Sequence, residues 1–257
     1  MKKSVIIGLV VFLCSPLAVY AASIGDAETQ GRFKFGIDLD IEYMFKRDME
    51  FKSASFDLPP GLDITNAEIK NMFRPMIRGS FGIFDFLDVY VKLGAAQYEG
   101  EMEWEVMGIT WISDKIETEW GFAYGGGLKG AYTFENGFLI GADLQYLAHK
   151  QDGEDTERDE IFGGEVEFDV ETTLQEWHFA PYVGMKFGNF TPYLGGKYSD
   201  VRVKIKDEFG DWLKFEADKN IGAFAGISYK IGERFKINLE GRFIDERAVT
   251  VGLAYRF

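Results

Sequence analysis

Ala248-Val249-Thr250-Val251-Gly252-Leu253-Ala254-Tyr255-Arg256-Phe257 alternates apolar with small or polar side chains and stops on an aromatic residue. Alternation of this kind is the period of a β-strand, whose successive side chains point to opposite faces. The pattern pervades the chain. In the first strand Phe33, Phe35, Ile37, Leu39, Ile41, Tyr43 and Phe45 take the odd positions, with Lys34, Asp38, Asp40, Glu42 and Lys46 between them. Strands that are apolar on one face and charged on the other, one after another, call for an apolar solvent outside. Lipid is that solvent.

Outward residues of the following strands are read in the same way. They are Phe73, Pro75, Ile77, Phe81 and Ile83, opposed by Lys70, Arg74 and Arg78; then Leu87, Val89, Val91 and Leu93, opposed by Asp88 and Lys92. A fourth strand changes parity after a loop and presents Ile116, Trp120, Phe122, Tyr124, Leu128, Tyr132 and Phe134. Further strands begin near Phe138, Trp177, Phe190, Ile221, Phe235 and Val249. The expected fold is all-β: a transmembrane antiparallel up-and-down β-barrel of about ten strands, with eight as the other count. An even number returns both termini to one side.

Connection lengths orient it. Tight turns are expected near Phe84-Asp85-Phe86, Glu135-Asn136-Gly137, Gly188-Asn189 and Ile231-Gly232-Glu233, the periplasmic ends. Rings flank each turn and form a lower aromatic girdle; Tyr43, Tyr98, Trp120, Tyr146, Trp177 and Tyr198 are candidates for the upper one. The other connections are long and polar. Met102, Trp104 and Val106 alternate with glutamates, and Val201, Val203 and Ile205 alternate with Arg202, Lys204 and Lys206, so hairpins should project above the bilayer. The last hairpin turns low, at Asp245-Glu246-Arg247. That leaves free edges near Met49 and Phe51 and near Trp212 to Phe215, where an extracellular protein could add a strand.

The amino terminus reads as a leader: Lys2 and Lys3, an apolar run from Val5 to Leu13, then Val19-Tyr20-Ala21 as a cleavage site. The expectation is a signal peptide over residues 1–21 and one barrel domain over 22–257, in the outer membrane. Cys14 falls within the leader, so disulfides have no part. Removing the leader takes away two lysines and no acid, which moves the formal charge from −14 to −16. With no basic stripe, nucleic acid is not an expected partner.

The alternating strands, the leader, the strand start Thr191-Pro192-Tyr193-Leu194-Gly195-Gly196 and the terminal Tyr255-Arg256-Phe257 resemble the small outer-membrane barrels grouped around OmpA-like, OmpX-like and opacity-type proteins. A count of ten looks like the omptin proteases and some adhesins. The resemblance implies that Tyr255 and Phe257 match the signal read by the barrel-assembly machinery. It specifies no activity.

Inward positions hold both signs: Lys34, Arg74, Arg78, Lys92, Lys129, Lys186, Lys197 and Arg242 against Asp38, Asp40, Glu42, Asp88, Asp143, Glu176 and Glu240. Paired charges filling a narrow interior are one expectation, and a charged constriction in a narrow porin-like channel is the other. His149 and His178, with Asp143 and Glu176 nearby, make an outer-membrane hydrolase a third. The acids Asp152, Glu154, Asp155, Glu157, Asp159 and Glu160 raise calcium, although their spacing fits no EF-hand. The leading expectation is a monomer without cofactor, metal site or catalysis. It would contact lipid and lipopolysaccharide and serve surface interaction or envelope integrity through its hairpins.

Overall fold

The computed structural model describes residues 24–161 and 163–257; the leader expected over 1–21 lies outside them. Among the described residues the chain forms β1 (Phe35–Ala54), β2 (Leu62–Phe84), β3 (Leu87–Val106), β4 (Ile109–Thr118), β5 (Gly121–Thr133) and β6 (Phe138–Asp159). These are followed by β7 (Glu165–Met185), β8 (Phe190–Asp207), β9 (Trp212–Ala217), β10 (Ile221–Ile231), β11 (Phe235–Phe243) and β12 (Arg247–Arg256). Among the described residues no helix is long and apolar enough to cross a membrane.

Twelve strands exceed the expected ten, and the reason is local. Both β4 and β5 pair with β3 and with β6, and they part at Glu119 and Trp120. There the Glu119 N–H donates to the Asp152 carbonyl at 2.8 Å. β9 and β10 likewise both pair with β8 and part at residues 218–220.

Two rings of hydrogen bonds result. Near the tight turns the ladder runs β1-β2-β3-β5-β6-β7-β8-β10-β11-β12 and returns to β1, with Ile37 facing Tyr255 and Leu39 facing Leu253. Beyond the low last hairpin, Met49, Glu50 and Phe51 of β1 pair with Ala217, Glu216 and Phe215 of β9. A narrower ring, β1-β2-β3-β4-β6-β7-β8-β9, therefore continues toward the long hairpins. The two edges expected to be free are bonded to each other, which corrects the strand-addition site read from the sequence. Unpaired backbone groups there find partners within the chain.

Outside the wide ring lies a belt of exposed apolar side chains, among them Ile37, Ile77, Val91, Leu128, Leu194 and Leu253. Ring pairs border its turn end: Phe84 on Phe86 at 5.6 Å, Phe134 with Phe138 at 5.8 Å, Phe190 with Tyr229 at 4.5 Å and Phe35 with Phe257 at 5.6 Å. Phe73 with Trp120 and Tyr146 with Trp177 border the other side, at 5.8 and 4.7 Å. Tyr98 does not join them. It sits on the inner face of β3, buried, with its ring edge toward His149 at 6.0 Å.

Past the upper rings the polarity of the two faces exchanges. In β3 the outward residues change from Val89, Val91 and Leu93 to Glu99, Glu101 and Glu103, while the buried ones change from Asp88 and Lys92 to Tyr98 and Met102. β1 reaches the same result by a β-bulge between Met44 and Lys46, after which Arg47 and Met49 turn inward. An extra residue in one strand flips the facing of everything beyond it. β2 does so near Asn71, whose φ is 49°. Lys70, read as inward, therefore stands on the outer face beside Glu101 and Glu68. Ile116, read as outward, is buried because the break between β4 and β5 carries the change of parity.

The belt should tolerate no charge. In refolding into phospholipid vesicles, Val91→Arg should lose about 2–4 kcal/mol, the depth-dependent cost of a cation on the lipid face. Glu117→Arg, on the outer face of β4, should cost less than about 1 kcal/mol in the same urea titration.

Candidate functional site

The lumen is built in layers. At the turn end residues 24–30 fold into it, with Ile24 and Ala27 packed against Leu139, Ala180 and Phe224. The Ile24 N–H donates to Glu240 at 3.1 Å, and its carbonyl accepts from Arg78 Nη1 at 3.0 Å. Lys129 donates to the Asp26 carbonyl at 2.7 Å, while the Asp26 carboxylate pairs with Lys236 at 2.8 Å and with Arg256. Tyr193 hydroxyl donates to Glu240 at 2.7 Å. Its ring lies across Gly226, where a Cβ would come within 2.4 Å of it, so only glycine admits this anchor.

Within the belt the charges pair, as expected for groups that lipid surrounds. Arg78 bonds Asp38 at 2.6 Å, and Arg74 bonds Glu42 at 2.6 Å and reaches Glu176 at 3.5 Å. Arg242 also binds Glu42. Lys92 stands 3.8 Å from Asp40, and Asp143 accepts from Tyr90 at 2.7 Å. Three members were not legible. Arg47 enters after the bulge, at 3.3 Å from Glu176, and Asp245 and Glu246 turn down from the last hairpin onto Lys197, with Asp245 at 2.9 Å. Ile244, at φ 89°, makes that inward turn. Lys34 is not a member: it precedes β1, after Phe33 at φ 58°, and is exposed at the turn-end mouth. Lys186 is also at that mouth, paired with Glu28.

Toward the hairpins the narrow ring encloses an apolar core of Met44, Met49, Met72, Met102, Leu174 and Phe215, with others. Ion pairs occupy the middle of the lumen, between a turn end of mixed apolar and charged packing and an apolar core at the hairpin end.

No protein-family model matches the chain, and no curated protein matches it. Among solved structures it is similar to the outer membrane protease OmpT from Escherichia coli, with a TM-score of 0.57 at 9% identity, covering 87% of this chain and 97% of that one. The translocator domain of the autotransporter NalP from Neisseria meningitidis matches with a TM-score of 0.47 at 9% identity, over 92% of this chain and 91% of that one. The outer membrane protein OprG from Pseudomonas aeruginosa gives 0.39 at 9% identity, over 90% and 99%. The fold is that of an outer-membrane β-barrel. At such identity the likeness extends to the fold alone.

In this barrel the two histidines do not form one site. His178 faces Gln145 across the β6–β7 ladder and His149 faces Leu174, so they stand at different depths rather than at a common rim. His178 Nε2 lies 3.4 Å from Asp143 and His149 Nδ1 lies 2.8 Å from Gln151. Both are buried. At the carboxyl terminus Tyr255 packs edge-on to Phe235 at 5.0 Å and to Phe257 at 4.8 Å, and Phe257 remains exposed. These two residues expected to carry the assembly signal thus form part of the turn-end girdle.

Beyond the belt, three acids sit on the inner face of the narrow ring. Asp114 of β4 lies directly opposite Glu157 of β6, and Asp155 lies one inward position below, opposite Ile116. Burial, with the neighbouring Asp155 and Glu157 charges adding to it and the Trp104 N–H opposing, pushes Asp114 up to about 8. Burial and then the Glu157 charge raise Asp155 to about 7, and burial raises Glu157. Only the acids of the loop were legible as a group; Asp114 was not, since its strand is distant in sequence.

A folded-state value above the ordinary 3.8 means that the folded barrel holds protons which the unfolded chain releases. The stabilisation is complete below about pH 4 and fades as pH climbs toward about 8. Urea titration in metal-free detergent should show a folding constant falling by up to about tenfold per pH unit for each group in that window. Asp155→Asn should flatten the slope; an unchanged slope would contradict the assignment.

Proposed function

We propose that this barrel is an exported outer-membrane protein that acts through its projecting hairpins, without catalysis and without conducting solutes. The observation that carries the reading is the filled lumen. Residues 24–30 occupy the turn end, the paired charges the middle and the methionine-rich core the hairpin end. A turn-end vestibule of about 680 Å³, lined by Glu28, Lys34, Lys236 and Arg256 among others, opens beside the inserted segment. Its lining includes Glu28, Thr29 and Gln30 of that segment, and Ile24 and Ala27 are fully buried among Leu139, Ala180 and Phe224.

The tall hairpins support a role at the surface. Their outer faces carry Glu99, Glu101, Glu103, Glu117 and Lys204, a surface suited to water, while Met107 and Phe209 stand exposed at two of the tips. Surface interaction or envelope integrity is the role we assign, with lipopolysaccharide around the belt and the assembly machinery reading Tyr255 and Phe257. A narrow channel is the second reading, favoured only by the charged lumen. A hydrolase would need its histidines within reach of substrate, and both are sealed beneath the apolar core.

Planar-bilayer recording of the refolded mature chain separates these readings. The filled lumen predicts no resolvable conductance steps. Steady, repeatable single-channel steps would replace the proposal with the channel.

A further inference from the structure

We infer that Asp114, Asp155 and Glu157 form a binding site for a divalent cation, calcium by its chemistry, which ties β4 to β6 at the hairpin end of the barrel. Each of the three offers an oxygen within 4.8 Å of the other two. Calcium binds oxygen at about 2.4 Å, so ligands on opposite sides of one ion stand about that far apart. The geometry is that of a single coordination sphere.

Proximity of acids alone would not carry this, and other observations do. Asp114 is 3% exposed and Asp155 8%, and Oδ1 of each has no hydrogen-bond partner. Asp114 Oδ2 is already held by Trp104 Nε1 at 2.6 Å, which fixes the carboxylate in place. Buried carboxylate oxygens without a donor are costly, and where Asp38, Asp40 and Asp245 also leave an oxygen unbonded, Arg78, Lys92 and Lys197 stand beside them. Among the described residues no ion pair reaches any of the three. Asp114 borders two cavities of about 280 Å³: the one it shares with Asp155 and Glu157 has no lysine, arginine or histidine in its lining, and the Lys115 and Arg158 of the other pair with Glu117 and Glu165.

Register makes the arrangement more costly still. Like charges directly opposite on neighbouring strands destabilise a ladder, and Asp114 and Glu157 are such a pair. Buried acids such as Glu42, Glu176 and Glu246 are paired with arginine or lysine, and Glu240 and Asp143 accept hydrogen bonds from tyrosine hydroxyls. Here the same inward face, otherwise Met102, Val170 and Ile116, carries three carboxylates and no protein cation. A bound dication supplies the missing charge.

All the protein donors are carboxylate oxygens, the ligands of hard cations. Calcium takes six to eight of them in irregular geometry, and the cavity leaves room for water, with Asp207 and Asp211 in its lining. Magnesium demands a tighter octahedron and gives up its water reluctantly, so it should bind more weakly. The site differs from the loop of acids seen in the sequence, since Asp152 and Glu154 point outward and take no part.

Isothermal titration of the refolded barrel in detergent with calcium chloride, at pH 8 after chelation, tests the site. The expected result is saturable heat with one ion per chain, weakened at least tenfold by Asp114→Asn and by Asp155→Asn and unchanged by Asp152→Asn. Should either variant fail to refold, Glu157→Gln takes its place and should weaken binding as well. No saturable heat in the parent barrel overturns the proposal. So does heat that survives all of these inner-face substitutions, which would mark adventitious binding to surface acids.

Discussion

Each strand of this protein repeats its facing every two residues, while the medium around it changes from lipid to water part-way along. The two facts together govern the rest of the structure. Within the belt a strand must be greasy outside and can be charged inside; beyond the belt those preferences reverse. β3 meets the reversal by changing composition and keeping its parity. β1 and β2 insert a bulge, and the two interrupted strands break. The chain therefore builds a membrane barrel with a polar interior and, continuous with it, a narrower barrel with an apolar interior like that of a water-soluble protein.

Energetics follow from that exchange. Charges in the wide ring cannot escape to solvent, so most are held in ion pairs and others, such as Lys129 and Glu240, by hydrogen bonds; breaking one such pair typically leaves an uncompensated ion worth about 3–5 kcal/mol. Glu42 between Arg74 and Arg242, and Glu176 between Arg47 and Arg74, are the joints of this network. The last hairpin is low because its acids are drawn down into the lumen rather than spent on a tall loop. Its lowness in turn exposes the edges of β1 and β9, and those close on each other.

Period two was plain in the sequence, and with it the strands, the turns and most of the inward charges. The odd run from Phe35 to Phe45 reads without ambiguity because every residue there obeys one facing rule. What failed was the facing beyond the belt. An odd-numbered apolar residue such as Met49 looks the same whether it meets lipid or a core, and a bulge at residue 45 leaves no signature in composition. Lys70 and Ile116 were misplaced for this reason, whereas Tyr98 lies on a strand that keeps its parity, where its even position points inward although it is an aromatic at rim height. Residues 24–30 were too short and mixed to announce a lumenal role, and the approach of Asp114 to Asp155 depends on a register that only the folded ladder shows.

The exchange of faces is the claim on which the sealed lumen and the acidic site both depend. Single spin labels placed at successive positions of β3 from Leu87 to Glu105, in the barrel reconstituted in lipid, measure it directly through collision with oxygen, which favours lipid, and with a water-soluble nickel chelate. Odd positions should pass from oxygen-accessible to nickel-accessible near Gln97, while even positions stay shielded from both along the whole strand. Nickel access at Tyr98 and Met102 would reveal a water-filled mouth and contradict the account.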